Sequence, residues 1–478
     1  MAASERSDPT RPRRWLWRWG VGLAALTLLA IGLLWHLNYN DGVDITAAEP
    51  APADAATLAR GTYLARVGNC LACHTARGGV PAAGGRPLAT PFGTVYTSNL
   101  TPDADTGIGR WSAGAFWRAL HHGRSVDGRL LYPVFPYTHT TLLTRADSDA
   151  LFAYFRGLPA TRAQVLPHEL RWPYSTQAAL AVWRALYFRP GGFQADPAHS
   201  EAVNRGAYLV QAVAHCSACH APRDRLGGAD WRDLSGGMVP GLGWYAPSLT
   251  NAAEAGVGPW PEAQIVRLLR TGAAQQGVAS GPMAEVVFHG TQYLTEADAA
   301  AMAAYLKGLP QQPAARPDAP PNAAPSRLAT AGAKLYEQHC AACHGAQGEG
   351  VPGAYPPLAG NRAVTLAQTE NLLQTVLHGG FGPATAGRPR PYGMPPFTLT
   401  LSDTEIAAVL SHIRGAWGNR AREVAPLQVL QLRQQTSQAR PQVIAVDDHV
   451  DGAMLQQELA ALETFRQFLA HGLLDHAR

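Results

Sequence analysis

Charge is scarce in this chain of 478 residues. Asp, Glu, Lys and Arg make up 15% of it and the net charge is +4, where an ordinary soluble domain is about 25% charged. So small an excess, with no basic cluster outside the N-terminus, argues against a nucleic-acid partner. Methionine and cysteine are scarcer still, six of each. Only one apolar run is long enough to cross a membrane; no second run of about 18 residues occurs. Alternation of apolar and polar residues with period two is nowhere sustained, which argues against a sheet-built fold. A Gly-rich dinucleotide fingerprint, a P-loop and a Gly-x-Ser-x-Gly elbow are also missing. Glycine (48) and proline (37) are plentiful by contrast, as suits small, loop-rich domains that owe part of their core to a bound group.

All six cysteines fall in one pattern. Cys70-Leu71-Ala72-Cys73-His74, Cys216-Ser217-Ala218-Cys219-His220 and Cys340-Ala341-Ala342-Cys343-His344 are each C-x-x-C-H, the attachment signature of c-type haem. Two thiols on one helical turn can both bond the haem vinyl carbons, and the next residue sets an imidazole under the iron. A structural zinc site needs four ligands, and each motif offers three with no second C-x-x-C nearby. Three dithiol motifs, each followed by histidine, do not fit thiol redox chemistry either. Three covalently bound haem c groups are therefore expected, with Cys70, Cys73, Cys216, Cys219, Cys340 and Cys343 as thioether donors. His74, His220 and His344 are expected as proximal iron ligands.

The N-terminus carries Arg6, Arg11, Arg13, Arg14 and Arg18 before or within the start of an apolar run from Trp15 to Leu37, with tryptophans near both ends. Positive charge ahead of a span leaves the start of the chain in the cytoplasm and exports the body. Such a run crosses the hydrocarbon as one helix. A cleaved signal peptide is the competing reading, and flanking tryptophans without a clear small-x-small site favour a retained anchor. The expected location is the inner (cytoplasmic) membrane, with the haem domains facing the periplasm.

The repeat extends beyond the haem motifs. Arg60-Gly61-Thr62-Tyr63-Leu64, Arg205-Gly206-Ala207-Tyr208-Leu209 and, more loosely, Gly332-Ala333-Lys334-Leu335-Tyr336 precede them. Ser98-Asn99-Leu100-Thr101, Ser248-Leu249-Thr250-Asn251 and Pro357-Leu358-Ala359-Gly360-Asn361 follow. A helix then ends at Gly123, Gly272 and Gly379, where left-handed caps are expected. A closing helix opens with the capping pattern Thr144/Asp147, Thr295/Asp298 and Ser402/Glu405. The fold class is all-α, with three tandem cytochrome c domains behind an N-terminal transmembrane helix. Expected boundaries are 1–45 for the cytoplasmic start and anchor, 55–160 for the first domain, 161–200 for an ordered connector and 201–309 for the second domain. A Pro-rich linker at 310–326, the third domain at 327–420 and a helical extension at 421–478 complete the chain. In that extension Leu455, Leu459, Leu462, Phe465 and Leu469 share one helical face, fit for docking on its own domain or for a partner or membrane contact.

The distal ligand decides what each iron does, and methionine there raises the potential. Met394 follows His344 by fifty residues in a Gly/Pro loop, and Met283 follows His220 by sixty-three, each just before the closing helix. Both are expected distal ligands, with Met238 as the rival in the second domain and Met302 read as helix core. No methionine lies between His74 and Met238, and Phe135, which cannot bind iron, stands near the equivalent place. His139 is the candidate there; His121, His122, an open iron or a methionine from elsewhere remain as alternatives.

The chain resembles the tri-haem cytochrome c subunit of bacterial membrane-bound dehydrogenases. The likeness lies in Arg60-Gly61-x-Tyr63-Leu64, Thr90-Pro91-Phe92-Gly93-Thr94 and the Asn99-to-Gly109 loop. Tyr132-Pro133-x-Phe135-Pro136-Tyr137 and Gly281-Pro282-Met283-Ala284-Glu285-Val286-Val287 carry it further. It covers roughly residues 55 to 420; the uncleaved anchor and the long C-terminal extension depart from the commonest pattern. The resemblance implies an electron-transfer subunit, not an enzyme on its own. It also implies a catalytic dehydrogenase partner of quinoprotein, flavoprotein or molybdopterin type, oxidising an alcohol, aldehyde, sugar or heterocycle, with ubiquinone or the respiratory chain as acceptor. A donor subunit of a terminal oxidase, or a haem enzyme using an open first iron, are the other readings.

Overall fold

A computed structural model describes residues 11–46, 53–312 and 326–439. The expected helix near Met454–Leu474 and most of the Pro-rich linker lie outside those residues. The chain divides at Gln434, and of the second unit only the end of the Pro426–Ala439 helix is described.

Each repeat is built on two crossing helices. Ala55–Val67 crosses Arg145–Arg156, Glu201–Tyr208 crosses Glu296–Gly308, and Arg327–His339 crosses Asp403–Gly415. The glycines of the repeated string sit at the crossings: a Cβ on Gly61, Gly206 or Gly332 would collide with the carbonyl of Ala150, Ala301 or Ala408. Only glycine lets two backbones approach so closely. The second repeat has one residue more between its glycine and its motif than the first. A π-turn at Leu209–Val213 absorbs it, widening one helical turn so that Cys216 keeps the position Cys70 has.

Closing helices are capped as expected: Thr144, Thr295 and Ser402 accept from the backbone N–H of Asp147, Asp298 and Glu405. Only Glu405 returns its carboxylate to complete a capping box. Gly123 and Gly272 end their helices in the left-handed region, at φ 58° and 71°. The fold is mainly helical but not wholly so. Among the described residues nine short strands form four small sheets, including the hairpin Pro87–Thr90/Gly93–Tyr96 extended by Glu169–Leu170. At two to four residues each, these strands are too short to leave a period-two signal in the sequence.

The first two repeats share one hydrophobic core that runs from Leu64 and Phe155 to Leu209 and Met302; the third has its own around Leu373, Leu377, Ile406 and Leu410. Between the first two repeats the helix Gln177–Tyr187 sends Trp183 Nε1–H to the Leu226 carbonyl and Tyr187 OH to Asp224. The third repeat meets the second through Asn371, whose side chain accepts from Tyr245 N–H at 2.8 Å and donates to Tyr245 O at 2.7 Å. Arg362 donates to Ala252 O, and its guanidinium lies over the Trp260 ring.

Among the described residues one helix, Arg11–Tyr39, is long and apolar enough to cross a membrane, over Trp15–Tyr39. Its C-terminal end is bolted to the helix Gln177–Tyr187 and, just beyond it, to the first repeat. Asn38 is buried, donating to Ala181 O and accepting from Arg184 Nε–H at 2.8 Å. Arg184 also donates to His122 O, and Arg124 pairs with Asp41.

Arg414 holds the third repeat together. Its side chain is fully buried and donates to the carbonyls of Arg422, Val364 and Leu366. Arg414→Met strands two buried acceptors, the carbonyls of Val364 and Leu366, and is expected to cost about 3 kcal/mol. A lower urea midpoint for the third repeat's unfolding, with the first two unaffected, is the check; an unchanged midpoint refutes it.

Candidate haem-binding sites

The three motifs fold alike, as single helical turns: Cys70–Cys73, Ser217–His220 and Ala341–His344. The first two are entered through residues in the left-handed region, Asn69 at φ 55° and His215 at φ 41°. Burial pushes the thiols of Cys70 and Cys216 up to about 12 and that of Cys340 to about 11, with the second cysteine of each motif adding to the effect. Redox-active C-x-x-C pairs do the reverse, lowering the pKa of the attacking thiol. Among the described residues no three His, Cys, Asp or Glu side chains converge on a metal-sized centre.

The histidines share one further device. His74 Nδ1 lies 2.7 Å from Ser98 O, His220 Nδ1 2.8 Å from Pro247 O, and His344 Nδ1 3.0 Å from Pro356 O. A carbonyl only accepts, so each Nδ1 carries the proton and each Nε2 keeps its lone pair for a ligand. Metal-binding histidines are oriented in this way by an acceptor behind the ring. Burial lowers the pKa of all three, which favours the neutral, ligating form. The residues present therefore fit covalently bound haem. The carbonyl acceptors lie at or next to the head of the strings that follow each motif: Ser98 opens the first, and Pro247 and Pro356 immediately precede the other two. The recurrence of those strings was legible, while their hydrogen-bonding task was not, because a backbone acceptor leaves no side-chain signature.

On the distal side, Met394 forms the Gly393–Met394 strand against Gly380–Phe381 and packs on the third core, as does Cys340. Met283 is half-buried in the first turn of the Pro282–His289 helix. Met238 is 44% exposed on a strand, and Met302 is fully buried in the core. Phe135 packs against the shared core, as does Cys70.

His139 is placed unexpectedly. It is 5% exposed, with Nε2 2.8 Å from Ser217 Oγ, inside the second motif. Ser217 Oγ donates to Trp231 O, so His139 Nε2–H is the donor between them, and Nδ1 is left to accept from Thr138 Oγ1 at 3.0 Å. Both ring nitrogens are engaged. His121 stacks on Trp117 with a buried Nδ1 that lacks a hydrogen-bond partner. His122 sits beside the anchor end, where burial and then His121 push it down to about 4.

Comparison with known proteins bears on all of this. The cytochrome c family model matches residues 203–310 and 329–417. The chain is 38% identical to "Alcohol dehydrogenase (quinone), cytochrome c subunit" of Gluconacetobacter polyoxogenes, over 78% of this chain and 83% of that one. It is also 38% identical to "Gluconate 2-dehydrogenase cytochrome c subunit" of Pantoea cypripedii, over 77% and 88%. To "Fructose dehydrogenase cytochrome subunit" of Gluconobacter japonicus it is 34% identical, over 86% of this chain and 89% of the relative.

Proposed function

The chain belongs to the family of dehydrogenase cytochrome c subunits, and from that premise we propose that it is a three-haem relay taking electrons from a partner dehydrogenase to ubiquinone. Members of this family transfer electrons and leave substrate oxidation to another subunit. The observation that carries the reading is the threefold recurrence of one arrangement: two thiols, a histidine, and a carbonyl on that histidine's Nδ1. Each haem, when bound, supplies reversible one-electron chemistry at its iron. The chain's own residues attach, orient and shield it. Cys70 and Cys73, Cys216 and Cys219, Cys340 and Cys343 are the attachment pairs. His74, His220 and His344 are the proximal ligands, with Met283 and Met394 on the distal side in the second and third of three cytochrome c domains (55–160, 201–309 and 327–420). At the first, His139 would have to release Thr138 or Ser217 to bind iron. A His139→Ala chain whose first haem keeps its potential and reduced spectrum excludes it.

The relatives' names differ in substrate and share a dehydrogenase. The partner class is accordingly a quinoprotein, flavoprotein or molybdopterin dehydrogenase, with the substrate left to that subunit. The helix Trp15–Tyr39 is read as a retained inner-membrane anchor that holds the haem domains on the periplasmic side, since its end is part of the folded unit through Asn38 and Arg184.

Two measurements test the reading. Haem per chain, by pyridine haemochrome absorbance, is expected at three. Replacing Cys340 and Cys343 together by alanine is expected to remove one third of it, and no loss would refute the third site. Purification of the native complex is expected to bring down a cofactor-bearing dehydrogenase; copper-haem oxidase subunits in its place would refute the partner assignment.

A further inference from the structure

The repeated Arg-Gly-x-Tyr-Leu string does something no single repeat can do. In the first repeat Tyr63 OH donates to Asp298 Oδ2, on the closing helix of the second, at 2.5 Å. In the second repeat Tyr208 OH donates to Asp147 Oδ2, on the closing helix of the first, also at 2.5 Å. Each aspartate is held from its own side by the arginine of its own string: Arg60 on Asp147 and Arg205 on Asp298. The four side chains and two arginines make a reciprocal, two-fold-like seam. Burial and then the Asp298 carboxylate push the Tyr63 hydroxyl up to about 12, and Tyr208 is raised for the same reasons, so both remain donors.

The seam reaches the haem motifs. His215, next to Cys216, lies with Nε2 3.2 Å from Gly68 O, two residues before Cys70. Ser217, inside the second motif, takes the bond from His139 of the first repeat. The turns that precede the closing helices match as well: Thr140 Oγ1 donates to Leu120 O and Thr291 Oγ1 to Leu269 O, both at 2.6 Å. The third repeat has lost the device. Ala331 and Lys334 stand where the arginine and tyrosine would be, Glu405 turns back to its own N-cap, and Tyr336 OH stays at home on Gly345 O.

We infer that Tyr63, Tyr208, Asp147 and Asp298 are positioning residues that lock the first and second haem-binding motifs together as a redox-coupled pair, in a seam that the third does not share. The inference rests on the three-haem reading. An electron added to one member of a close pair opposes the addition of a second to its neighbour, by an amount that falls with separation and with the polarity between them. A seam residue therefore acts on two midpoint potentials at once, whereas a residue serving only its own repeat acts on one.

The test is an optical redox titration of the full-length, detergent-solubilised chain, after haem content has been measured. A wild-type haem content below three counts against the three-haem reading and leaves the seam to be judged on whichever motifs are loaded. With three haems present, Tyr63→Phe alone is expected to shift two midpoints, although the tyrosine belongs to one repeat. Tyr63→Phe/Tyr208→Phe is expected to shift the same two further and leave the third in place. Tyr336→Phe serves as the control and is expected to move the third midpoint or none. The inference is overturned if Tyr63→Phe, folded and fully loaded, moves a single midpoint or none, or if the midpoint it moves is the one that Tyr336→Phe moves. Should the double variant fail to load haem, the single variant decides.

Discussion

Placing valine at Gly206 is expected to cost the protein its second haem site. The helix Glu201–Tyr208 crosses Glu296–Gly308 with a hydrogen at position 206 facing the Ala301 carbonyl, and even a methyl group there collides with that oxygen. The obstacle is helix backbone, which cannot swing aside as a side chain would. Relief requires the two helices to separate, and both line the shared core through Tyr208, Met302 and Leu306. Overpacking of this kind costs about 1–3 kcal/mol where neighbours can shift, and more where they cannot. Since the core is common to two repeats, damage is expected to spread to the first motif as well. Haem absorbance per chain and the urea midpoint are the readouts, and both should fall. Gly308→Ala, in the partner helix, meets nothing within 4 Å and is expected to be neutral or slightly stabilising. A loaded, stable Gly206→Val chain would refute the crossing argument.

Met394→His is expected to lower one midpoint potential by about 0.2 V, a fraction of the roughly 0.8 V range that axial ligands span. The residue is well held. Its strand pairs with Gly380–Phe381, and Gly379 packs against its carbonyl so closely that a Cβ would collide. The backbone therefore presents the side chain from a fixed point to the core, against which Cys340 also packs. Histidine is harder on the iron than a thioether and favours the oxidised state. Only one of the three midpoints should move, because the third repeat stands outside the Tyr63/Tyr208 seam. If none moves, Met394 is not a ligand.

Much of the architecture could be read from the chain alone, and the reasons differ from element to element. The caps at Thr144, Thr295 and Ser402 are local: a stretch of four residues decides each, and they formed as expected. The left-handed glycines at 123 and 272 are equally local. What could not be read is non-local. Asp147 and Asp298 looked like partners for their own N-caps, yet their carboxylates go to arginines of the opening helices and to tyrosines 61 and 235 positions distant. The string containing Tyr63 and Tyr208 was recognisable as a repeat, but a repeat tells nothing about whom it faces. His139 illustrates the same gap. Its loop position suggested an iron ligand, while its place in three dimensions is against Ser217, a contact made by the docking of two repeats. The small sheets escaped because two to four residues per strand carry no period.

The π-turn and the seam together bear on how such a chain can change. Two identical subunits meeting about a dyad must carry every substitution twice, so a residue useful on one side is imposed on the other. Here the partners are tethered in one polypeptide and each half drifts alone. His139 and Gly290 occupy the same place before Thr140 and Thr291. One reaches across to a serine; a Cβ on the other would crowd the carbonyls of Val286 and, across the seam, Arg66. The extra residue swallowed by the π-turn in one half only is a second such liberty. Covalent linkage permits a symmetric handshake to be lopsided, and on the three-haem reading that asymmetry would give two chemically identical haems different environments.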